Sequence, residues 1–197
     1  MNKFMLILSL FVFSFSSFAG IEVSPEDMAI LKSGKFVKRV KMIEGKIWPE
    51  VTIISIIPHT PKENVDVYSD FNSHSKFVPD LIKSHVSKVE DGASYIDAEM
   101  KMPWPIKNSI YTTKSISKIV GDAYELSWVF VSGNQLKDTV GVVHFVPFEG
   151  GKTLFSYTNH VTPDSSLASI FRDRVPLDVE KAVTAILKHL KKNAGKK

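Results

Sequence analysis

Between residues 109 and 117 every second side chain carries a hydroxyl: Ser109, Tyr111, Thr113, Ser115 and Ser117. On an extended strand this spacing puts all five on one face, and Lys114 and Lys118 mark the other as the wet side. A filled core does not select such a row, because a buried hydroxyl without a partner costs about 1–3 kcal/mol. Hydroxyls around an internal hollow can instead meet a ligand or water, so the chemistry on offer is hydrogen bonding to something enclosed.

The remaining reactive side chains form no catalytic constellation. His59, His74, His85, His144, His160 and His189 contain no His-x-His or His-x-x-x-His pair, so neither a metal site nor a cofactor is expected. Asp70 and His74 stand four apart, the spacing of a helical corner contact rather than of an acid–base dyad. The chain has no cysteine, which removes disulfides, thiolate ligands and thiol nucleophiles together. No Gly-x-Ser-x-Gly elbow, phosphate loop or dinucleotide fingerprint occurs.

The elements that must position the hydroxyl row begin after a leader. Met1 to Ala19 has the layout of a cleavable secretory signal: Lys3, an apolar run from Phe4 to Phe15, then Ser17-Phe18-Ala19 with small residues at the two positions a peptidase reads. Cleavage is expected before Gly20, and no cysteine comes after it to carry a lipid. Gly20 to Lys197 is expected to be one domain, periplasmic or secreted. The formal net charge of +4 is too small and scattered for nucleic-acid binding. At the tail, Lys188, Lys191, Lys192, Lys196 and Lys197 either form a solvated end that complements a helix dipole or dock on an anionic membrane.

Ser24-Pro25-Glu26-Asp27 starts a short helix that Gly34 ends. Strand-like runs at 36–43 and 51–57 form a hairpin. Thr60 and Glu63 make a capping box, and Pro79 restricts the stretch before it to two short helices, 64–71 and 73–77. From His85 to Pro163 the period is two, in six runs (85–90, 94–102, 109–120, 123–132, 140–147 and 152–161) with turns too short for crossovers. This predicts an antiparallel meander. A helix pair, 165–171 and 177–190, closes the chain, the longer one with an apolar stripe through Val179, Val183, Ile186 and Leu190.

About eight strands against one long helix predict a sheet that curls around that helix. Alternation turns Ile96, Ala98, Met100 and Met102 inward, and likewise Tyr124, Leu126, Trp128 and Phe130. The candidate cavity wall is therefore Ile96, Ala98, Met100, Trp104, Tyr111, Thr113, Trp128 and Phe130, with Tyr157 and Asn159 adding polar contacts. Ile170 and Phe171 are the candidate lid.

The segment from Met102 to Ser109, with Pro103-Trp104-Pro105 at its centre, resembles the proline-tryptophan-proline segment of START lipid-transfer domains. Asp70 to Pro79 is similar to the helix-to-strand corner of the wider START and polyketide-cyclase (SRPBCC) superfamily. The order hairpin, short helices, meander and long helix matches from about Gly34 to Leu190. The resemblance implies an α+β helix-grip fold with an elongated cavity for a lipid, sterol, polyketide or other hydrophobic molecule. START domains usually continue the tryptophan segment with arginine and aspartate, where this chain has Ser109 and Ile110, so no role of that ion pair carries over.

The expected function is extracytoplasmic binding or transfer of a lipid-like molecule, without catalysis. One alternative is a cyclase or aromatase using the same cavity, for which Tyr111, Tyr157 and His144 are the available acid or base groups. Another is an interaction module with a packed interior and an exposed apolar patch.

Overall fold

The computed structural model describes residues 16–18, 20–164 and 166–196. Most of the expected leader, together with Ser165 and Lys197, lies outside the described residues. Strands β1 (Ser16–Phe18) and β2 (Ile21–Val23) form a small antiparallel ribbon. Helix α1 (Pro25–Lys32) begins where the Ser24 hydroxyl accepts from the Asp27 N–H at 3.1 Å, and Gly34 leaves it at a φ of +84°, a conformation that suits glycine.

Strands β3 (Val37–Lys41) and β4 (Glu50–Ile57) pair as the expected hairpin. Helix α2 (Pro61–Tyr68) starts three residues ahead of the expected Asn64, because the capping box itself sets the first turn. The Thr60 N–H donates to Glu63 Oε2 at 2.8 Å. A 3₁₀ segment, Phe71–Lys76, leads to the meander: β5 (Leu81–Glu90), β6 (Ala93–Met100), β7 (Ser109–Val120), β8 (Ala123–Gly133), β9 (Leu136–Phe148) and β10 (Lys152–Pro163). A second 3₁₀ segment, Ser166–Arg174, runs into α3 (Val175–Asn193).

The eight long strands form one antiparallel sheet in the order β3-β4-β10-β9-β8-β7-β6-β5. On its concave face Val51, Ile53, Val143, Phe145 and Phe155 pack with Val65 and Tyr68 of α2 and with Val183, Ile186, Leu187 and Leu190 of α3. The opposite face is covered in part as well. Ile54, Val146 and Leu154 pack there with Ile21 and Val23 of β2 and Leu31 of α1, which explains why β4 is buried almost continuously rather than alternately.

Asn64 fastens α2 to the sheet. It is fully buried, and its Nδ2 donates toward the carbonyls of Pro58 (2.8 Å), His59 (3.1 Å) and Thr60 (3.1 Å) and toward Thr153 Oγ1 (3.1 Å). Replacing it takes a donor from Pro58 O and Thr153 Oγ1, at about 1–3 kcal/mol each, whereas His59 O keeps the Thr153 hydroxyl and Thr60 O keeps the Asn64 backbone N–H. Asn64→Leu is expected to lower the unfolding free energy by about 2–4 kcal/mol in urea titrations, and a loss below about 1 kcal/mol would count against this role for Asn64.

Candidate functional site: a cavity under the curved sheet

α3 packs on β4 and α2, so the helices fill the concave face on the β4, β10 and β9 side. Toward β5–β8 the sheet curls away from them and leaves a hollow of about 480 Å³, within the range of small-molecule sites. The apolar stripe of α3 continues along it as Val175, Val179, Ala182 and Ile186, and the sheet answers with Ile96, Ala98, Met100, Leu126 and Trp128.

Of the candidate wall residues, Ile96, Ala98, Met100, Tyr111, Thr113, Trp128, Tyr157 and Asn159 line this hollow, and so does Phe171 from the candidate lid. Three positions need correction. Trp104 points away, 89% exposed, because the turn closed by Ile106 N–H on Pro103 O (2.9 Å) puts it at the tip while Met102 and Pro103 face inward. Phe130 lies beyond the last β8–β9 pair, Val129 with Val140, where the ladder to β7 also slips by a residue; regular alternation ends before it. Ile170 is 67% exposed, since the 3₁₀ segment presents only Phe171 of the pair to the interior.

The hydroxyl row divides. Ser109, Thr113 and Ser115 are buried and line the hollow with Tyr111, whereas Ser117 is exposed past its end. The Ser109 hydroxyl donates to Asn134 O at 3.0 Å. Among the described residues none of the side-chain hydrogen bonds involves Thr113 or Ser115, and Asn159 Oδ1 is buried without a partner. Burial pushes the Tyr111 phenol up to about 12. Burial, then the neighbouring Tyr111, raises Tyr157 further, and burial raises Tyr68 well above its ordinary value. All three are neutral donors near pH 7.

Position 141 makes the wall possible. The register places Ser115, Trp128, Gly141 and Asn159 in one row across β7, β8, β9 and β10. The Trp128 indole lies over Gly141 so closely that a Cβ there would sit 2.0 Å from Cζ2. Its ring centroid is 5.5 Å from that of Tyr157.

His74, read as a corner contact, also lines the hollow. Its Nε2 donates to Tyr68 O at 2.7 Å, and its ring meets the edges or faces of Tyr68, Phe71 and Phe77. Phe77 in turn stacks on His189 at 3.9 Å. Burial lowers the pKa of both histidines below 6.5, against smaller opposing pulls from the Tyr68 carbonyl and then Asp70 on His74, and from Asp70 on His189. Groups harder to protonate when folded give stability that is complete above the unfolded pKa and lost as pH falls. Melting temperature is expected to drop as pH passes below about 6.5, and the drop should be shallower in His74→Gln; an identical slope in the variant would refute the assignment.

His144 does not reach the cavity. It lies on the opposite face, with Nε2 3.4 Å from Glu125 Oε2 and beside Gly20. Among the described residues no group of three or more His, Asp or Glu side chains is placed to hold a metal ion.

Sequence reasoning passed over Tyr68, Trp48 and the α3 residues. The α3 stripe is visible as a core pattern, but nothing in its spacing separates a helix face that touches the sheet from one that faces a gap. Trp48 Nε1–H donates to Ala168 O at 2.8 Å, tying the start of β4 to the 3₁₀ segment across the cavity rim. The charged groups are at that rim: Asp80, Lys101, Arg174 and Asp178, with Arg174 on Asp178 at 3.0 Å and Asp80 on Lys181 at 3.5 Å.

No family model and no curated protein matches the sequence. Solved structures do match in fold. The STAR-related lipid transfer protein of Xanthomonas axonopodis is 19% identical, with a TM-score of 0.71 over 79% of this chain and 93% of that one. Human StAR-related lipid transfer protein 5 is 10% identical, with a TM-score of 0.67 over 80% and 82%. An aromatase/cyclase from Streptomyces sp. R1128 is 10% identical, with a TM-score of 0.60 over 73% and 91%. The eight-stranded curved antiparallel sheet closed by its C-terminal helix is therefore the α+β helix-grip fold of START-like, SRPBCC domains.

Proposed function

We propose that the protein binds a hydrophobic, lipid-like small molecule in the cavity and carries it outside the cytoplasm. The observation that carries the reading is the hollow itself: about 480 Å³ between sheet and α3, walled by apolar side chains and a few neutral polar ones. Removing apolar surface from water is worth about 25 cal/mol per Å², so a long chain or polycycle binds without covalent help. Similarity in fold to lipid transfer proteins supports the same reading, and the signal-like leader supports an extracytoplasmic site.

Loading proceeds through the rim beside Phe171. Membrane contact fits the rim better than the basic tail, because α3 spans 19 residues, roughly 28 Å at 1.5 Å per residue, and holds Lys188, Lys191 and Lys192 at the far end. The exposed Trp104, Ile170 and Leu177 adjoin rim residues instead.

The cyclase alternative finds Tyr111 and Tyr157 in the cavity, where neutral phenols can act as acids but not as bases near pH 7. It does not find His144 there, and the histidine that does line the hollow, His74, has its Nε2–H engaged by Tyr68 O. Native mass spectrometry of freshly purified protein, before and after organic extraction, tests the carrier reading. An extractable adduct of lipid mass is expected. A chain that shows no adduct and takes up no added apolar ligand would overturn it.

A further inference from the structure

The charges of the cavity are confined to its rim. Asp80, Lys101 and Arg174 are exposed, Asp178 is half-buried, and each acid at the rim already has a cation beside it. Deeper in, no lysine, arginine, aspartate or glutamate among the described residues lines the wall. The polar groups there include the Tyr111 and Tyr157 phenols, the Thr113 and Ser115 hydroxyls, the Asn159 amide and the Trp128 indole N–H, all uncharged. These belong to neighbouring positions of the sheet. Ser115, Trp128 and Asn159 share one cross-strand row, Tyr157 is two residues along β10, and Thr113 and Tyr111 continue along β7.

Much of this belt has no partner among the described residues. A hydrogen bond satisfies Ser109 at the rim end, but none is formed by the side chains of Thr113 or Ser115, and Asn159 Oδ1 is buried and unpaired. Unpaired polar groups inside an apolar wall favour a guest that brings its own hydrogen-bonding group. An ionised guest group is a different matter. A carboxylate moved out of water needs a cation or several fixed charge-assisted donors to offset its desolvation, and the nearest cations, Lys101 and Arg174, are at the mouth. Hydroxyls, phenols and an amide can each donate or accept, which matches an alcohol, amide or ester and does not neutralise an anion.

Building on the carrier reading, we infer that the cavity selects uncharged amphiphiles, taking their hydroxyl, amide or ester group inside onto the Thr113, Ser115, Tyr157 and Asn159 belt, and discriminates against anionic chains of the same length. The belt is thus the specificity determinant, and the apolar walls supply the affinity.

The test uses three twelve-carbon probes, 1-dodecanol, dodecanoate and dodecane, each displacing Nile red from the mature protein at pH 8. Dodecanol is expected to bind at least about tenfold more tightly than dodecanoate, the size of effect that a buried unpaired charge commands. Tyr157→Phe and Thr113→Val, both close in shape to the native residues, should weaken dodecanol about five- to tenfold each and leave dodecane unchanged. Dodecanoate binding as tightly as dodecanol, or variants that weaken alcohol and alkane alike, would overturn the belt while leaving the carrier intact. Failure of Nile red and of all three probes to bind would overturn the carrier reading and this inference with it.

Discussion

Ala98→Trp is expected to abolish uptake of an apolar ligand, with the melting temperature within about 5 °C of the parent. Ala98 is buried, lies opposite Tyr111 in the β6–β7 ladder and faces the hollow. An indole there projects into space that the folded chain leaves open, so the strain that usually accompanies small-to-large changes in a filled core, about 1–3 kcal/mol, is largely avoided. Ligand affinity should fall by at least about a hundredfold, since the guest loses both volume and apolar wall. Nile red titration of the folded variant reads the effect. Retained affinity would mean that the cavity is not where ligand binds.

Gly141→Val should act in the opposite way, on the fold first. The Cβ of any side chain would lie 2.0 Å from Trp128 Cζ2 and 2.6 Å from Thr158 O, and one of those neighbours is backbone. The indole has to leave its place over β9 or the β9–β10 ladder has to part. Overpacking with no room to yield costs at the upper end of the usual range, so a loss of about 3 kcal/mol or more is expected in denaturant titrations. Combining it with Trp128→Ala should recover part of that loss if the ring is the obstacle. A double variant no more stable than the single would place the strain at Thr158 instead.

The parts of this structure that are legible in the sequence are those whose signals are local. The Ser24 and Thr60 caps are local hydrogen bonds, so α1 and the capping box of α2 are where the residues put them. Alternation is local too, and it turns Ile96, Ala98, Met100, Tyr111, Thr113 and Trp128 to the same interior. It fails where the ladder is irregular: the slip between Thr112 and Thr113 and the end of β8–β9 pairing leave Phe130 outside the regular pattern. Trp104 shows a second limit, because aromatic character says nothing about which residue of a turn occupies its tip. The packing of β2 and α1 on the convex face joins residues far apart in sequence, and no periodicity encodes it.

The bond from Trp48 to Ala168 has a mechanical consequence. Ala168 is buried and held at one point by an indole that is itself 7% exposed, while Ile170 to Arg174 beyond it are mostly exposed. On the proposed carrier role, displacing Phe171 would pivot the chain about Ala168 and pass the motion forward into the first turn of α3 rather than back into β10. A guest would then enter by the swing of a lever of about six residues, with the eight-stranded scaffold as its fixed support.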